Sequence, residues 1–414
     1  MFNLETDCRN CNSDHLSQVL DLGAQPLANH LRYPGGNASG LVPLELNQCL
    51  ACQTTQITAT VQPKTLFDNY FWVTGTSATA RSYSKMFVDR TQMVLSGLDR
   101  TAGPQPGFVV EIASNDGTIL RRFLEGGWRV LGVEPAGNIA AGAIAGEVPT
   151  LVEFFDAQVG LDLVHQYGTA DVVVARNVVA HVANVHSVIE GMATVAGEGG
   201  VVVIEVHSAE VILSELHYDS IYHEHLFYFS LKTLSRLCEG HGLFPFDVFE
   251  SPISGGSLVV FFSANQYAPS ARLEKMTDRE NRLRVNNRSR WATFAEAAIE
   301  HAATLKEVVD DFSRSRTVVG YGASARSSTM LNFAGITNGE VAVIVDQNEL
   351  KQGRLTPGTD IPIVSPEVGL RQLGQSDALL LLAWNFEEEI VAQLRANGFR
   401  GDVIVPLPRE VRVL

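Results

Sequence analysis

Basic residues are scarce: 31 Lys and Arg stand against 46 Asp and Glu in 414 residues, a formal charge of −15. So acidic a chain excludes a general nucleic-acid binder, which needs a basic surface against phosphates. A phosphate-bearing ligand would have to be met locally, by helix N-termini or a few placed cations. Long apolar runs are also missing. Ala378–Trp384, one of the longest, has the length of a buried strand and falls short of the roughly 20 residues that cross a bilayer. Met1–Asp7 is acidic and has neither the basic start nor the apolar core of a secretory leader. The expectation is a cytoplasmic protein with no membrane and no nucleic-acid partner, its five cysteines kept reduced. What is present, 45% apolar and 19% charged residues, is an ordinary globular composition, long enough for two or three domains.

Four of the cysteines form two pairs, Cys8-Arg-Asn-Cys11 and Cys49-Leu-Ala-Cys52. Each knuckle turns tightly enough to aim two sulfurs at one ion, the usual way to build a tetrahedral zinc site. The competing reading is a pair of redox motifs, but no βαβ pattern surrounds them. Four thiolates leave no open coordination position, so the metal is expected to be structural. Cys238 stands alone in a helical stretch and reads as a small core residue.

From about Gly107 onward, short β-branched runs alternate with helical stretches: Phe108–Ile112, Trp128–Val133, Ala170–Ala175 and Gly200–Val206. Buried parallel strands have this pattern, which predicts a doubly wound α/β sheet. Phe227–Phe229 and Gly256–Phe262 are candidate strands at its far edge. Arg272–Phe312 predicts one or two connecting helices. A second alternation follows in Thr317–Tyr321, Glu340–Val345, Ala378–Trp384 and Asp402–Val405, so the two α/β units could be distant copies of one architecture.

Each unit opens on a small-residue turn. The first runs Glu111-Ile112-Ala113-Ser114-Asn115-Asp116-Gly117, and the next strand ends in Glu134-Pro135, roughly 20 residues on. An acid there can accept from both hydroxyls of a ribose. The first turn has no GxGxxG, which weighs against a pyrophosphate-bearing dinucleotide and suits S-adenosylmethionine. Asn177, at the end of a neighbouring strand, lies on the opposite rim. The second turn, Gly320-Tyr321-Gly322-Ala323-Ser324-Ala325-Arg326, is a GxGxxA followed by Val345-Asp346. It fits either a dinucleotide or another pyrophosphate. Local cations for such a group are Arg326, Lys351 and Arg354.

After the Gly200–Val206 run comes Tyr222-His223-Glu224-His225, where open α/β sheets place their ligands. Histidine accepts protons at neutral pH, and a nearby carboxylate can orient it. A metal site or a solvated loop remains open from these residues alone. His181 follows the strand end at Arg176-Asn177 and is a further candidate.

The order of these motifs resembles that of S-adenosylmethionine-dependent C-methyltransferases of nucleotide sugars, which make branched deoxysugars for antibiotics and surface glycans. The likeness spans the cysteine module, Tyr70-Phe71-Trp72-Val73-Thr74-Gly75-Thr76-Ser77, the Glu111–Gly117 turn and Tyr222–His225. It continues through Gly255-Gly256-Ser257, Gly320–Ala323, Lys351–Arg354 and Pro357-Gly358-Thr359 to Ile361-Pro362-Ile363. The resemblance implies an N-terminal zinc-binding module (1–68), a central Rossmann-like class I methyltransferase domain (69–268) and a C-terminal Rossmann-like α/β domain (269–414). A TDP-linked 4-keto-6-deoxyhexose would lie between the last two. It implies His225 as base, supported by Tyr222 and Glu224, with His181 a further candidate read from its place at the strand end. It implies cofactor contacts from Glu111, Ala113, Asn115, Gly117, Glu134, Pro135 and Asn177. Thr76, Ser77, Gly255, Ser257, Tyr321, Gly322, Ala323, Arg326, Lys351 and Arg354 would face the sugar nucleotide. The expected cofactors are S-adenosylmethionine and zinc, the expected partner a small molecule, and the chain a monomer. The competing class is a NAD-dependent nucleotide-sugar oxidoreductase using Gly320, Gly322 and Asp346, or a methyltransferase on another substrate.

Overall fold

Runs of β-branched residues become the buried strands of two separate sheets. In the computed structural model, which describes residues 2–37, 40–67, 73–76, 78–98, 107–371, 373–374 and 377–414, the central sheet has seven strands. Their order is Phe244–Ser251, Ser257–Ser263, Val201–His207, Val172–Arg176, Phe108–Ile112, Arg129–Val133 and Thr150–Leu151. Ser257–Ser263 runs antiparallel to both its neighbours, and the other pairings described are parallel. Val172–Ala175 and Val201–Val206 are buried at every position, as strands covered by helices on both faces must be.

The C-terminal sheet repeats the plan with six strands, in the order Ile363–Val364, Val343–Val345, Val318–Tyr321, Ala378–Leu381, Asp402–Val405 and Arg412–Val413. Only the last pairing is antiparallel. In both sheets the strand order reverses beside the first strand, which opens a crevice at the carboxyl ends of the strands. Local chemistry starts and stops the helices. Asp156 caps Ala157–Tyr167 by accepting from Val159 N at 2.9 Å. Ser230 and Ser324 form reciprocal capping boxes at the starts of Leu231–Glu239 and Ala325–Ala334.

The two α/β units are joined by two helices, Ala271–Leu283 and Arg288–Ser313. The second buries Trp291, Phe294, Ala298, Leu305 and Val309 along one face. Its first residue, Arg288, donates to Ser17 Oγ at 3.2 Å and to the Gln18 carbonyl, tying the connector to the N-terminal module.

That module is a four-stranded antiparallel sheet ordered Phe227–Tyr228, Thr55–Ile57, Leu41–Cys49 and Leu16–Pro26, beside a small pair made by Phe2–Leu4 and Ala59–Val61. The expected edge strand at Phe227–Phe229 is therefore elsewhere. Phe227 and Tyr228 pair with Gln56 and Thr55, because Phe244–Ser251 and Ser257–Ser263 already occupy that side of the central sheet. Among the described residues no helix is long and apolar enough to cross a membrane.

Candidate active site

The four cysteines converge. Cys8 Sγ lies 3.5 Å from Cys52 Sγ and Cys11 Sγ 3.6 Å from Cys49 Sγ, and all four sulfurs fall within 4.8 Å of one another. Bonds of about 2.3 Å to a tetrahedral zinc place sulfurs roughly 3.8 Å apart, close to the two shorter separations, so the donor set suits the ion. Cys238 is fully buried in the apolar core.

The first turn is wound in the left-handed region. Ala113, Asn115 and Gly117 have φ of 52°, 53° and 73°, a conformation that costs a side chain about 1 kcal/mol or more and here falls on two residues that are not glycine. Glu134 holds the turn from below, one carboxylate oxygen accepting from Asn115 N and the other from Ala136 N, both at 2.8 Å. Pro135 between them is half-buried. Across the top, Thr74 N donates to Asn115 Oδ1 at 2.8 Å and Gly75 N to Asp116 Oδ2 at 3.0 Å, which brings the Thr74–Thr76 segment onto the turn. Ser77 lies outside the described residues. Asn177, also left-handed at φ 50°, stands on the facing strand end and donates its N–H to the Glu205 carbonyl at 2.8 Å.

Two buried oxygens here, Glu111 Oε2 and Ser114 Oγ, have no hydrogen-bond partner among the described residues. Burial, against the pull of Arg176, pushes the Glu111 carboxyl up to about 8. Buried polar atoms are normally satisfied, so the turn fits a polar ligand such as S-adenosylmethionine that would complete them.

The histidine cluster lies on the same rim. His225 Nδ1–H donates to the Ser220 carbonyl at 2.8 Å, which leaves Nε2 as the lone-pair nitrogen, and the Tyr222 hydroxyl donates to it at 2.7 Å. Burial, with His181 and His207 beside it, holds the His225 imidazole well below the usual histidine range. The His181 ring meets His225 edge-on at 4.7 Å and bonds to the Glu224 backbone, and burial lowers its own pKa to about 4. His223 turns away, its Nε2–H donating to the Val42 and Pro43 carbonyls at 3.2 Å.

Glu224 meets a residue with no sequence signal. Asn29, in the loop after Leu16–Pro26, donates its amide to both carboxylate oxygens at 2.7 and 2.9 Å. Burial raises the Glu224 carboxyl to about 7, with Asn29 opposing.

The second turn resembles the first in its wiring. Asp346 accepts from Ala323 N at 2.9 Å and from Asn348 N at 2.8 Å, as Glu134 accepts from its own turn and from two residues on. Here, however, Lys351 adds its ammonium, 3.4 Å from Asp346 and 2.8 Å from the Ala323 carbonyl. Gly322 has φ 101°, and a Cβ there would come within 2.6 Å of Ala383, so only glycine fits. The Tyr321 hydroxyl accepts from Gln347 Nε2 at 3.2 Å. Arg354 lies 4.5 Å above the exposed Tyr33 ring and donates to its hydroxyl at 3.2 Å. Gly255 packs on His217 and Trp384, while Ser257 Oγ donates to the Ile253 carbonyl at 3.0 Å.

Arg326 departs from its expected place. Its guanidinium is taken up by Asp219, in the loop before Tyr222, and by the Ser254 carbonyl, so it is committed inside the protein rather than offered to a pyrophosphate.

Three family descriptions match the chain: a zinc binding domain over residues 8–67, a methyltransferase domain over 87–244 and a C-methyltransferase C-terminal domain over 252–408. The chain is similar to the C-methyltransferase NovU of Streptomyces niveus, 32% identical over 413 residues that cover 98% of this chain and 96% of NovU. Among solved structures, the PH0226 protein of Pyrococcus horikoshii OT3 is 14% identical with a TM-score of 0.37, covering 49% of this chain and 98% of its own. The magnesium protoporphyrin IX methyltransferase ChlM of Synechocystis PCC 6803, with bound S-adenosylmethionine, is 11% identical with a TM-score of 0.36, covering 50% and 99%. Both likenesses are too loose to bear on function.

Proposed function

This chain belongs to the C-methyltransferase family, and we propose that it methylates a carbon next to the 4-keto group of a TDP-linked deoxysugar, C-3 in preference to C-5, in branched deoxysugar biosynthesis. It is an S-adenosylmethionine-dependent enzyme with a structural zinc site at Cys8, Cys11, Cys49 and Cys52. We read 1–68 as the zinc module, 69–268 as the methyl-donor domain and 269–414 as the domain that helps bind the sugar nucleotide, acting as a monomer.

The observation that carries this reading is the polarity of the hydrogen bonds at His225. With Nδ1–H given to Ser220, Nε2 is left as an unprotonated acceptor, bonded by the Tyr222 hydroxyl and kept neutral by burial. A ketone acidifies the hydrogen on its neighbouring carbon. His225 Nε2 takes that proton, and the C–H electron pair becomes an enolate with its charge on the 4-oxygen. A positioned base of this kind contributes about 10²–10⁴ in rate. Tyr222 releases its bond to Nε2 as substrate enters and donates to the developing oxyanion, with His181 beside it. Bound S-adenosylmethionine supplies the electrophilic methyl that the enolate carbon takes. Glu111, Ala113, Asn115, Gly117, Glu134, Pro135 and Asn177 hold the donor. Gly255, Ser257, Tyr321, Gly322 and Ala323 line the sugar-nucleotide side, to which the sequence motif also assigns Thr76 and Ser77, and Lys351 and Arg354 supply the cations that an acidic chain needs near a diphosphate.

The test is incubation with methyl-labelled donor and a panel of TDP-4-keto-6-deoxyhexoses, followed by NMR of the product. A label on a ring carbon next to the ketone is expected. A label on oxygen or nitrogen, or none on any sugar, sinks the reading.

A further inference from the structure

We propose that Arg326 and Trp384 of the C-terminal domain are positioning residues for the base, acting through Asp219 and the backbone of residues 218–221. This rests on the reading of His225 as the base. Asp219 is wholly buried, and its carboxylate accepts from Arg326 Nη2 at 2.7 Å, Arg326 Nε at 3.0 Å and Trp384 Nε1 at 2.9 Å. Arg326 Nη1 donates to the Ser254 carbonyl at 2.9 Å, and its guanidinium carbon sits 4.7 Å from the Trp384 ring centre. The fork geometry is bidentate, which fixes direction as well as distance.

The carbonyl of the next residue, Ser220, is the one that receives His225 Nδ1–H. The residues on either side are held by the same domain. Tyr218 OH donates to His301 Nδ1 at 3.0 Å, while His301 Nε2–H donates to the Pro406 carbonyl at 2.7 Å. Thr329 Oγ1 donates to the Ile221 carbonyl at 3.0 Å. The loop that ends in Tyr222 and His225 is thus clamped residue by residue onto a domain that contributes no base of its own. A buried ion pair is a poor source of net stability, because desolvation offsets its attraction. Its worth here lies in geometry: it sets the height and tilt of the Ser220 carbonyl, and with them the ring orientation and tautomer of His225.

Arg326→Lys keeps the charge and removes the fork. Asp219→Asn combined with Arg326→Gln removes both charges and leaves no uncompensated carboxylate if the single variant folds poorly. Two readouts decide. One is steady-state kinetics. The other is the long-range ¹H–¹⁵N NMR pattern of the His225 ring in substrate-free protein, assigned by its absence in His225→Asn. Expected are a kcat lower by about 10²-fold, as a misplaced reacting group costs, a KM for both substrates within about twofold, and loss of the pure Nδ1–H tautomer. A raised KM for the sugar nucleotide with kcat and tautomer unchanged would make Arg326 a phosphate-binding residue and overturn the proposal, as would no change at all. If the wild type methylates none of the sugars, the proposed function falls, and the NMR pattern alone decides the positioning role.

Discussion

The Asn29 amide donates to both carboxylate oxygens of Glu224, at 2.7 and 2.9 Å, so a residue of the zinc module reaches the side chain next to His225, the proposed base. The carboxyl it holds is displaced by burial to about 7 from an ordinary 4.5.

That displacement has a sign. Between about pH 4.5 and 7 the folded chain keeps a proton on Glu224 that the unfolded chain gives up, so this group's contribution to stability is full below the window and lost as pH rises through it. Glu224→Gln should remove the loss, worth on the order of 3 kcal/mol across the window. Urea unfolding of both proteins below and above it is the check, and parallel pH profiles would refute the displacement. Asn29→Leu should extend the loss of stability to higher pH, since the amide bond opposes the upward displacement.

His225→Asn should retain S-adenosylmethionine binding by calorimetry yet lose turnover by about 10²-fold or more, together with solvent deuterium exchange at the methylated carbon. Exchange that survives the substitution assigns the base elsewhere.

Glu134→Ala removes the acceptor of two turn N–H groups, from Asn115 and Ala136, as well as the expected ribose contact. Donor affinity should fall at least about tenfold, roughly 1.4 kcal/mol. An unchanged dissociation constant would falsify that site assignment. Turnover at saturating donor should recover much of its wild-type value.

Stripping the metal should lower both the melting temperature and kcat. The module that Cys8, Cys11, Cys49 and Cys52 hold together also supplies Asn29 to Glu224 and the Val42 and Pro43 carbonyls to His223. Metal analysis should give zinc in proportion to protein, and restored zinc should restore both. Turnover indifferent to chelation would detach the module from catalysis.

Much of the fold was legible because buried parallel strands announce themselves locally. Phe108–Ile112 and Asp402–Val405 fall where their β-branched runs predict, and the others shift by a residue or a few. Phe227–Tyr228 did not, since a two-residue aromatic strand carries no information about which sheet it joins. The cysteine knuckles were legible because metal geometry dictates their spacing. Asn29 and Arg326 were not. Their partners lie 195 and 107 residues away, and nothing within a local window distinguishes an asparagine on a carboxylate from one in a loop. Lysine and arginine near a glycine turn read as phosphate ligands, but the fold had another carboxylate for Arg326.

The order of synthesis gives the Asp219 clamp a further meaning. A nascent chain completes the donor-binding sheet well before Trp384, which follows Asp219 by 165 residues, has left the ribosome. Until then Asp219 can be met by Arg326 but lacks its Trp384 donor, so the clamp is among the last parts of the loop's support to be completed.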